Sequence, residues 1–328
     1  MSEIHVTDGW RSPGENGVCP LDCPGATNTR AIRTGEYMRT EVHCVRKSQR
    51  MRLGNPPSGD VLRVVVGLGS STVLSARADD ATAICVVRGR VHVSLEDSRW
   101  TLDAPTVLFL EGGESAALAG DGLWVYATAP GSVIRELLGD ACGRPIATPL
   151  VPGKLRMARA LRHDLLAALR CGREEACESR LFASSVAVHL ATMQFEYEPL
   201  VARCGGRTWK QRRNAFVRLQ RARNHLYANF HRELSVAEAA AIANYSPFHF
   251  IRAFEAVYGA TPHAYLVERR LAAARDLLRT SSLAIAEIAS MSGFEDRTAF
   301  ARSYKRRFGI TASDHRRLLA AARIQAVA

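Results

Sequence analysis

The stretch IASMSGFEDRTAFARSYKRRFG, Ile288 to Gly309, decides how the last third of this 328-residue chain folds. Gly293 marks a tight turn between a short helix and a second one that carries Arg297, Arg302, Lys305, Arg306 and Arg307. That second helix also holds Phe300, Tyr304 and Phe308, spaced i, i+4, i+8, which puts them on one stripe. At roughly 100° per residue, Thr298, Ala301, Arg302 and Lys305 fall on a different arc, away from the aromatics. The expectation is one face packed on the preceding helix and one face free.

The segment is the second copy of a repeat. VAEAAAIANYSPFHFIRAFEAVYGATP, from Val236, aligns with IAEIASMSGFEDRTAFARSYKRRFGITA, from Ile285. Ala237 and Glu238 recur as Ala286 and Glu287, an offset of 49. Phe250, Arg252, Phe254, Tyr258, Gly259 and Thr261 recur as Phe300, Arg302, Tyr304, Phe308, Gly309 and Thr311, an offset of 50. The second turn is therefore one residue longer. Ser246 with Pro247 and Thr261 with Pro262 are helix-start signals, and Gly259 and Gly309 suit C-terminal caps. A helix from about Pro262 to Arg279 joins the copies. Two helix–turn–helix units on a rigid connector could read successive major grooves about 34 Å apart. Arg in the same slot of both copies suits bidentate pairing to guanine.

Charge supports a polyanionic partner for this part alone. The formal net charge is +12. Residues 207–328 hold 21 Lys and Arg against 9 Asp and Glu, and residues 1–206 hold 23 of each. An excess confined to one part of a chain marks a nucleic-acid footprint.

The N-terminal part reads differently. Residues 1–59 are expected to be an irregular arm, ending in the turn-rich GNPPSGD. LRVVVGL, TAICVVRGRVHVSL, TVLFL and LWVYAT then predict an antiparallel sandwich or small barrel. It occupies residues 60–153, with a Pro- and Gly-containing connection from Gly131 to Gly153. Lys154 to Tyr197 reads as two amphipathic helices, a hairpin within 154–200 that packs on the barrel or on a second subunit. Residues 201–218 are expected to be a linker and 219–320 an all-helical domain. The fold class is α+β. No run of 18 apolar residues and no signal-peptide pattern occur, so no membrane partner and a cytoplasmic location are expected.

From about Leu219 to Arg317 the repeat closely resembles the AraC/XylS family of transcription regulators. IAEIASMSGFEDRTAFARSYKRRFGIT is very close to that family's second helix–turn–helix signature, and YSPFHFIRAFEAVYGATPHAYL matches the first. The resemblance implies binding to promoter DNA, with RNA polymerase as a further partner and activation more often than repression. It places Phe248, Ile251 and Arg252 toward bases in the first copy, and Arg297, Thr298, Ala301 and Arg302 in the second, with Lys305 on the same face. It also implies that the N-terminal part is a cupin-like sensor barrel for a small-molecule effector, followed by helices that form a homodimer. Three residues depart from the family: Asn244 for a turn Gly, Ser313 for Pro and His315 for Tyr.

Two other functions compete. A cupin-type enzyme fused to a DNA-binding tail would need a His-x-His…Glu…His metal set, and the β-rich region has one histidine, His92. A metal- or redox-sensing regulator would use Cys19, Cys23 and Cys44. Structural zinc sites usually show two closely spaced ligand pairs, so no metal, cofactor or catalytic residue is expected.

Overall fold

The computed structural model describes residues 3–5, 29–34, 38–54, 61–79, 81–134, 150–170 and 180–325. The chain divides into two compact units, Met1–Pro199 and Leu200–Ala328.

The first unit is built on a ten-stranded sheet. Its strands are β1 (Glu3–His5), β2 (Thr29–Thr34), β3 (Met38–Val45), β4 (Arg50–Arg52), β5 (Val61–Arg77), β6 (Ala81–Ser94), β7 (Arg99–Asp103), β8 (Thr106–Leu110), β9 (Ser115–Ala129) and β10 (Gly153–Arg156). Strands β5, β9 and β6 pair antiparallel along most of their length. β8 pairs with the first half of β6 and β7 with the second. Main-chain pairing runs from β1 to β10 without returning, so the sheet is open and not a closed barrel. The long strands bulge at Gly69–Thr72 and at Val86–Arg88. Gly89 and Gly122 face each other there, each at positive φ, and a Cβ on Gly89 would overlap the carbonyl of Asp121. A bulge bends its strand and increases its twist.

Burial follows the residue pattern. In the near-continuous apolar run Ala81–Val87, every residue is buried, so both faces are covered. In Val91–Ser94 burial alternates, because there one face is bare. The covering layer is α1 (Arg159–Arg170) and α2 (Arg180–Gln194). Leu161, Leu165, Leu190 and Met193 pack against Cys85, Val107, Phe109, Leu123 and Val125. The apolar stripe of the hairpin is thus satisfied within the chain. The opposite face of the sheet is filled by Trp124, whose indole packs where a Cβ at Gly67 would lie and donates to Thr72 Oγ1 at 2.9 Å.

Three expectations change. Strands occur within the stretch read as an irregular arm, and β3 and β4 pair parallel with successive halves of β5. Parallel strands cannot be joined by a two-residue hairpin, so no hairpin signal marks the pairing. Lys154–Arg156 is strand, not helix: it satisfies the open edge of β8, with Leu155 opposite Val107. The apolar cavity is not inside the sheet's Trp124-filled face. It lies on the other side, about 60 Å³, between Val64, Ala83 and Val125 of the sheet and Leu165, Val186 and Leu190 of the hairpin. Most of the Gly131–Gly153 connection lies outside the described residues.

α3 (Glu198–Ala202) crosses the boundary between the units, and the second unit continues with α4 (Trp209–Ala228), α5 (Val236–Ile242), α6 (Pro247–Tyr258), α7 (Pro262–Thr280), α8 (Ile285–Met291), α9 (Arg297–Phe308) and α10 (Ala312–Gln325). α4 begins inside the stretch read as linker, because Thr208 and Gln211 form a reciprocal capping box. No helix among the described residues is long and apolar enough to cross a membrane.

Candidate nucleic-acid interface

The two pairs α5–α6 and α8–α9 are the repeat, and their local chemistry explains their shape. Four residues separate α5 from α6 and five separate α8 from α9. Asn244 takes φ 53° in the first turn and Gly293 takes φ 83° in the second. Asn is among the few side chains that enter this left-handed region at low cost, which is why it can replace glycine. At Gly293 it could not, because a Cβ there would overlap the carbonyl oxygen of Phe230.

Helix starts differ between the copies. Ser246 occupies the N-cap of α6 but its hydroxyl makes no capping bond; Pro247 at the first helical position sets the start. Asp296 caps α9 fully, accepting from the amides of Thr298 at 2.8 Å and Ala299 at 3.0 Å. Those two bonds hold its carboxyl below the usual range. Gly259 and Gly309 both end their helices in the left-handed conformation, as expected.

The aromatics form the inner stripe. Phe250, Phe254, Phe300 and Tyr304 are buried. Successive rings meet edge-on or tilted: 5.4 Å between the centres of Phe250 and Phe254, 4.6 Å on to Tyr258, 5.5 Å from Phe300 to Tyr304 and 4.6 Å on to Phe308. Each copy anchors one phenol to a neighbouring helix. Tyr258 donates to Gln220 Oε1 of α4 at 2.9 Å, and the Tyr304 hydroxyl meets His315 Nδ1 of α10 at 2.8 Å. Burial pushes the Tyr304 phenol up to about 12. His315, a departure from the family, therefore serves packing of the final helix.

With the stripe inside, the opposite faces are free. Phe248 and Arg252 of α6 are exposed and Ile251 is half-buried. Arg297, Thr298, Ala301, Arg302 and Lys305 of α9 are all exposed. The Arg252 guanidinium lies 5.7 Å from the centre of the Phe248 ring. The last turn of α9 carries Lys305, Arg306 and Arg307, where the helix dipole favours cations. Arg307 donates from Nε to both carboxylate oxygens of Glu268 on α7, at 2.6 and 2.8 Å. It is thereby turned toward the connector, while Arg302 stays on the free face.

The connector fixes one copy against the other. Leu271, Ala274 and Leu278 of α7 are buried with Ile288, Phe300 and Tyr304. Arg270 donates to the carbonyls of Phe230 and Arg232, each at 2.8 Å, in the loop between α4 and α5. Sequence reasoning missed Arg270, Glu268 and Glu255. Only Glu255 left a signal, since it stands in the slot of Lys305.

Among the described residues no group of three His, Cys, Asp or Glu is placed to hold a metal ion. Cys19 and Cys23 lie outside the described residues. Cys44 is in β3, and burial pushes its thiol up. His92 lies on the exposed side of β6, 3.2 Å from Thr101 Oγ1.

Comparison with known proteins agrees with this geometry. The family model of a helix–turn–helix domain, HTH_18, matches residues 239–318. The HTH-type transcriptional regulator ExsA of Pseudomonas aeruginosa is 43% identical over 67 residues, which is 20% of this chain and 24% of that protein. The virulence regulon transcriptional activator VirF of Yersinia enterocolitica is 42% identical over 67 residues, 20% of this chain and 25% of that protein. A solved transcriptional regulator from Chromobacterium violaceum, described as an AraC-type DNA-binding-domain-containing protein, is 30% identical. That match covers 33% of this chain and 96% of that one, with a TM-score of 0.31. The chain spans about a quarter of the length of the two named relatives. Residues 239–318 are thus a helix–turn–helix domain of the AraC type.

Proposed function

We infer that the chain is a sequence-specific, DNA-binding transcription regulator, acting as an activator through RNA polymerase, and not an enzyme. One observation carries this: two helix–turn–helix units present Arg252 and Arg302 in the same slot, on exposed faces opposite buried aromatic stripes. In this reading Phe248, Ile251 and Arg252 enter one major groove. Arg297, Thr298, Ala301, Arg302 and Lys305 enter the next on the same side of the duplex. The remaining Lys and Arg of residues 207–328 hold phosphates. The relatives ExsA and VirF, named as a transcriptional regulator and a transcriptional activator, support the reading for residues 239–318.

The N-terminal unit is proposed to sense a small organic effector and to form the homodimer through residues 154–200. The apolar cavity between the sheet and α1–α2 supports the first part. At about 60 Å³ it has room for roughly four water-sized groups. Binding there would matter only through a difference in affinity between two arrangements of the protein. Selection of duplexes from a random library by the intact protein tests the main proposal. Enrichment of one bipartite sequence is the expected result, and recovery without any shared sequence would refute it.

A further inference from the structure

The two recognition helices are alike in backbone and unlike in chemistry. Positions 248, 251, 252 and 255 of α6 share one face at i, i+3, i+4, i+7 spacing and hold Phe, Ile, Arg and Glu. The equivalent positions of α9, 298, 301, 302 and 305, hold Thr, Ala, Arg and Lys, with Arg297 where α6 has Pro247. The free face of α6 therefore carries one cation and one carboxylate, and that of α9 three cations and no carboxylate. Phe248 is 68% exposed, the most exposed of the large apolar side chains among the described residues. No packing inside the domain accounts for it. The Arg252 guanidinium leans toward its ring at 5.7 Å, which orders that side chain beside an apolar surface. In α9 the corresponding Thr298 offers no ring, so Arg302 has no such support.

We propose that the two half-sites are read by different chemistry: α6 reads thymine methyl groups with Phe248 and Ile251, and α9 reads guanine edges with Arg297 and Arg302. The major groove makes this division possible. The C5 methyl is the one apolar group that a base pair presents there, and guanine O6 and N7 are a paired acceptor that suits Arg. An exposed aromatic ring beside a half-buried isoleucine gains by covering methyl groups and gains nothing from phosphates. Glu255 on the same face disfavours a purely electrostatic approach and sets α6 toward base edges instead. α9, with its three cations, supplies most of the charge-driven affinity, so the two halves differ in how they depend on salt. The inference rests on the DNA-binding reading and adds to it which base chemistry each helix selects.

The test uses the intact protein and the duplex that it selects from a random library. The half-site whose base preference changes in Phe248→Ala is assigned to α6. Deoxyuridine then replaces thymine in each half in turn, which removes the methyl and keeps every hydrogen-bonding group. In the α6 half, affinity is expected to fall roughly fourfold for each methyl contacted. The share of that sensitivity carried by Phe248 should vanish in Phe248→Ala and persist in Phe248→Leu, and the share carried by Ile251 should remain in both. Replacing guanine by 7-deazaguanine in the α9 half should lower affinity roughly tenfold, and the same change in the α6 half should cost less. Because Phe248 is exposed, its substitution leaves the fold intact. Sequence-selective binding with equal uracil sensitivity in the two halves, or with none in the α6 half, would overturn the division of chemistry alone. Absence of sequence-selective binding would overturn this division and the transcription-regulator reading together.

Discussion

Arg270 Nε donates to the carbonyl oxygen of Phe230 at 2.8 Å, joining the connecting helix to the loop that precedes the first helix–turn–helix. Gly293, in the second turn, sits against both groups, so the second copy, the connector and the loop before the first copy meet at one point. Arg270→Leu removes the bonds to the half-buried carbonyl of Phe230 and to the solvent-exposed carbonyl of Arg232. A loss of about 1–3 kcal/mol in stability is expected. Affinity for a bipartite duplex should fall more than affinity for either half-site alone, since the spacing of the halves is what Arg270 fixes. Denaturation together with binding to full and half sites would measure this. Arg270→Lys, a point charge without the planar fork, should rescue only in part.

Four left-handed positions give a graded series. Gly259 and Gly309 have open space where a Cβ would lie, so alanine there costs only its backbone strain, about 1 kcal/mol. Gly293→Ala adds to that strain a collision with Phe230 and Arg270, and should cost at least about 2–3 kcal/mol. Asn244→Gly should be close to neutral, because Asn already tolerates φ 53°. Thermal denaturation of the four variants should place Gly293→Ala as the least stable, Gly259→Ala and Gly309→Ala between, and Asn244→Gly nearest the parent.

Arg302→Ala should weaken binding to the specific duplex by about 1–3 kcal/mol, the usual cost of losing a good bidentate base contact. Arg252→Ala should act at the other half of the site. Quantitative binding at fixed salt checks both. An Arg302→Ala variant with unchanged affinity would contradict the assignment of its exposed face.

Most of the helical frame of this candidate site could be read from the sequence because its signals are local. The i, i+4, i+8 aromatics, the glycine caps and the 49- and 50-residue offsets are each contained in a few turns of chain. Phe250, Phe254, Phe300 and Tyr304 are buried where that spacing put them. What was hidden depends on distant pairing. Strand β3 lies parallel to β5, and β10 completes the edge of β8, with no hairpin joining the partners. Arg270 looks like one more surface cation until Phe230 and Arg232 are brought to it by the fold. The closed barrel failed for a related reason: the alternation of β5, β6 and β9 is satisfied by an open sheet that α1 and α2 cover on one face.

His43 makes the N-terminal unit sensitive to acid. Burial, and then the nearby Arg63, lower its pKa from 6.5 to about 4. The unfolded chain therefore binds a proton more readily than the folded one between these values. The stability is fully present above about pH 6.5 and is lost as pH falls toward 4, by up to about 3 kcal/mol. Replacing His43 with Gln should flatten the dependence of unfolding on pH across that window. An unchanged slope would show that another group is responsible.

The central claim is that α6 and α9 enter successive major grooves on one side of a duplex. Methylation and uracil interference with the intact protein on its selected duplex test this most directly, because together they report major-groove guanine and thymine-methyl contacts base by base. Two clusters of interference about one helical turn apart are predicted, with the one assigned to α9 lost in Arg302→Ala and the other kept. A single cluster, or two that Arg302→Ala leaves unchanged, would contradict it.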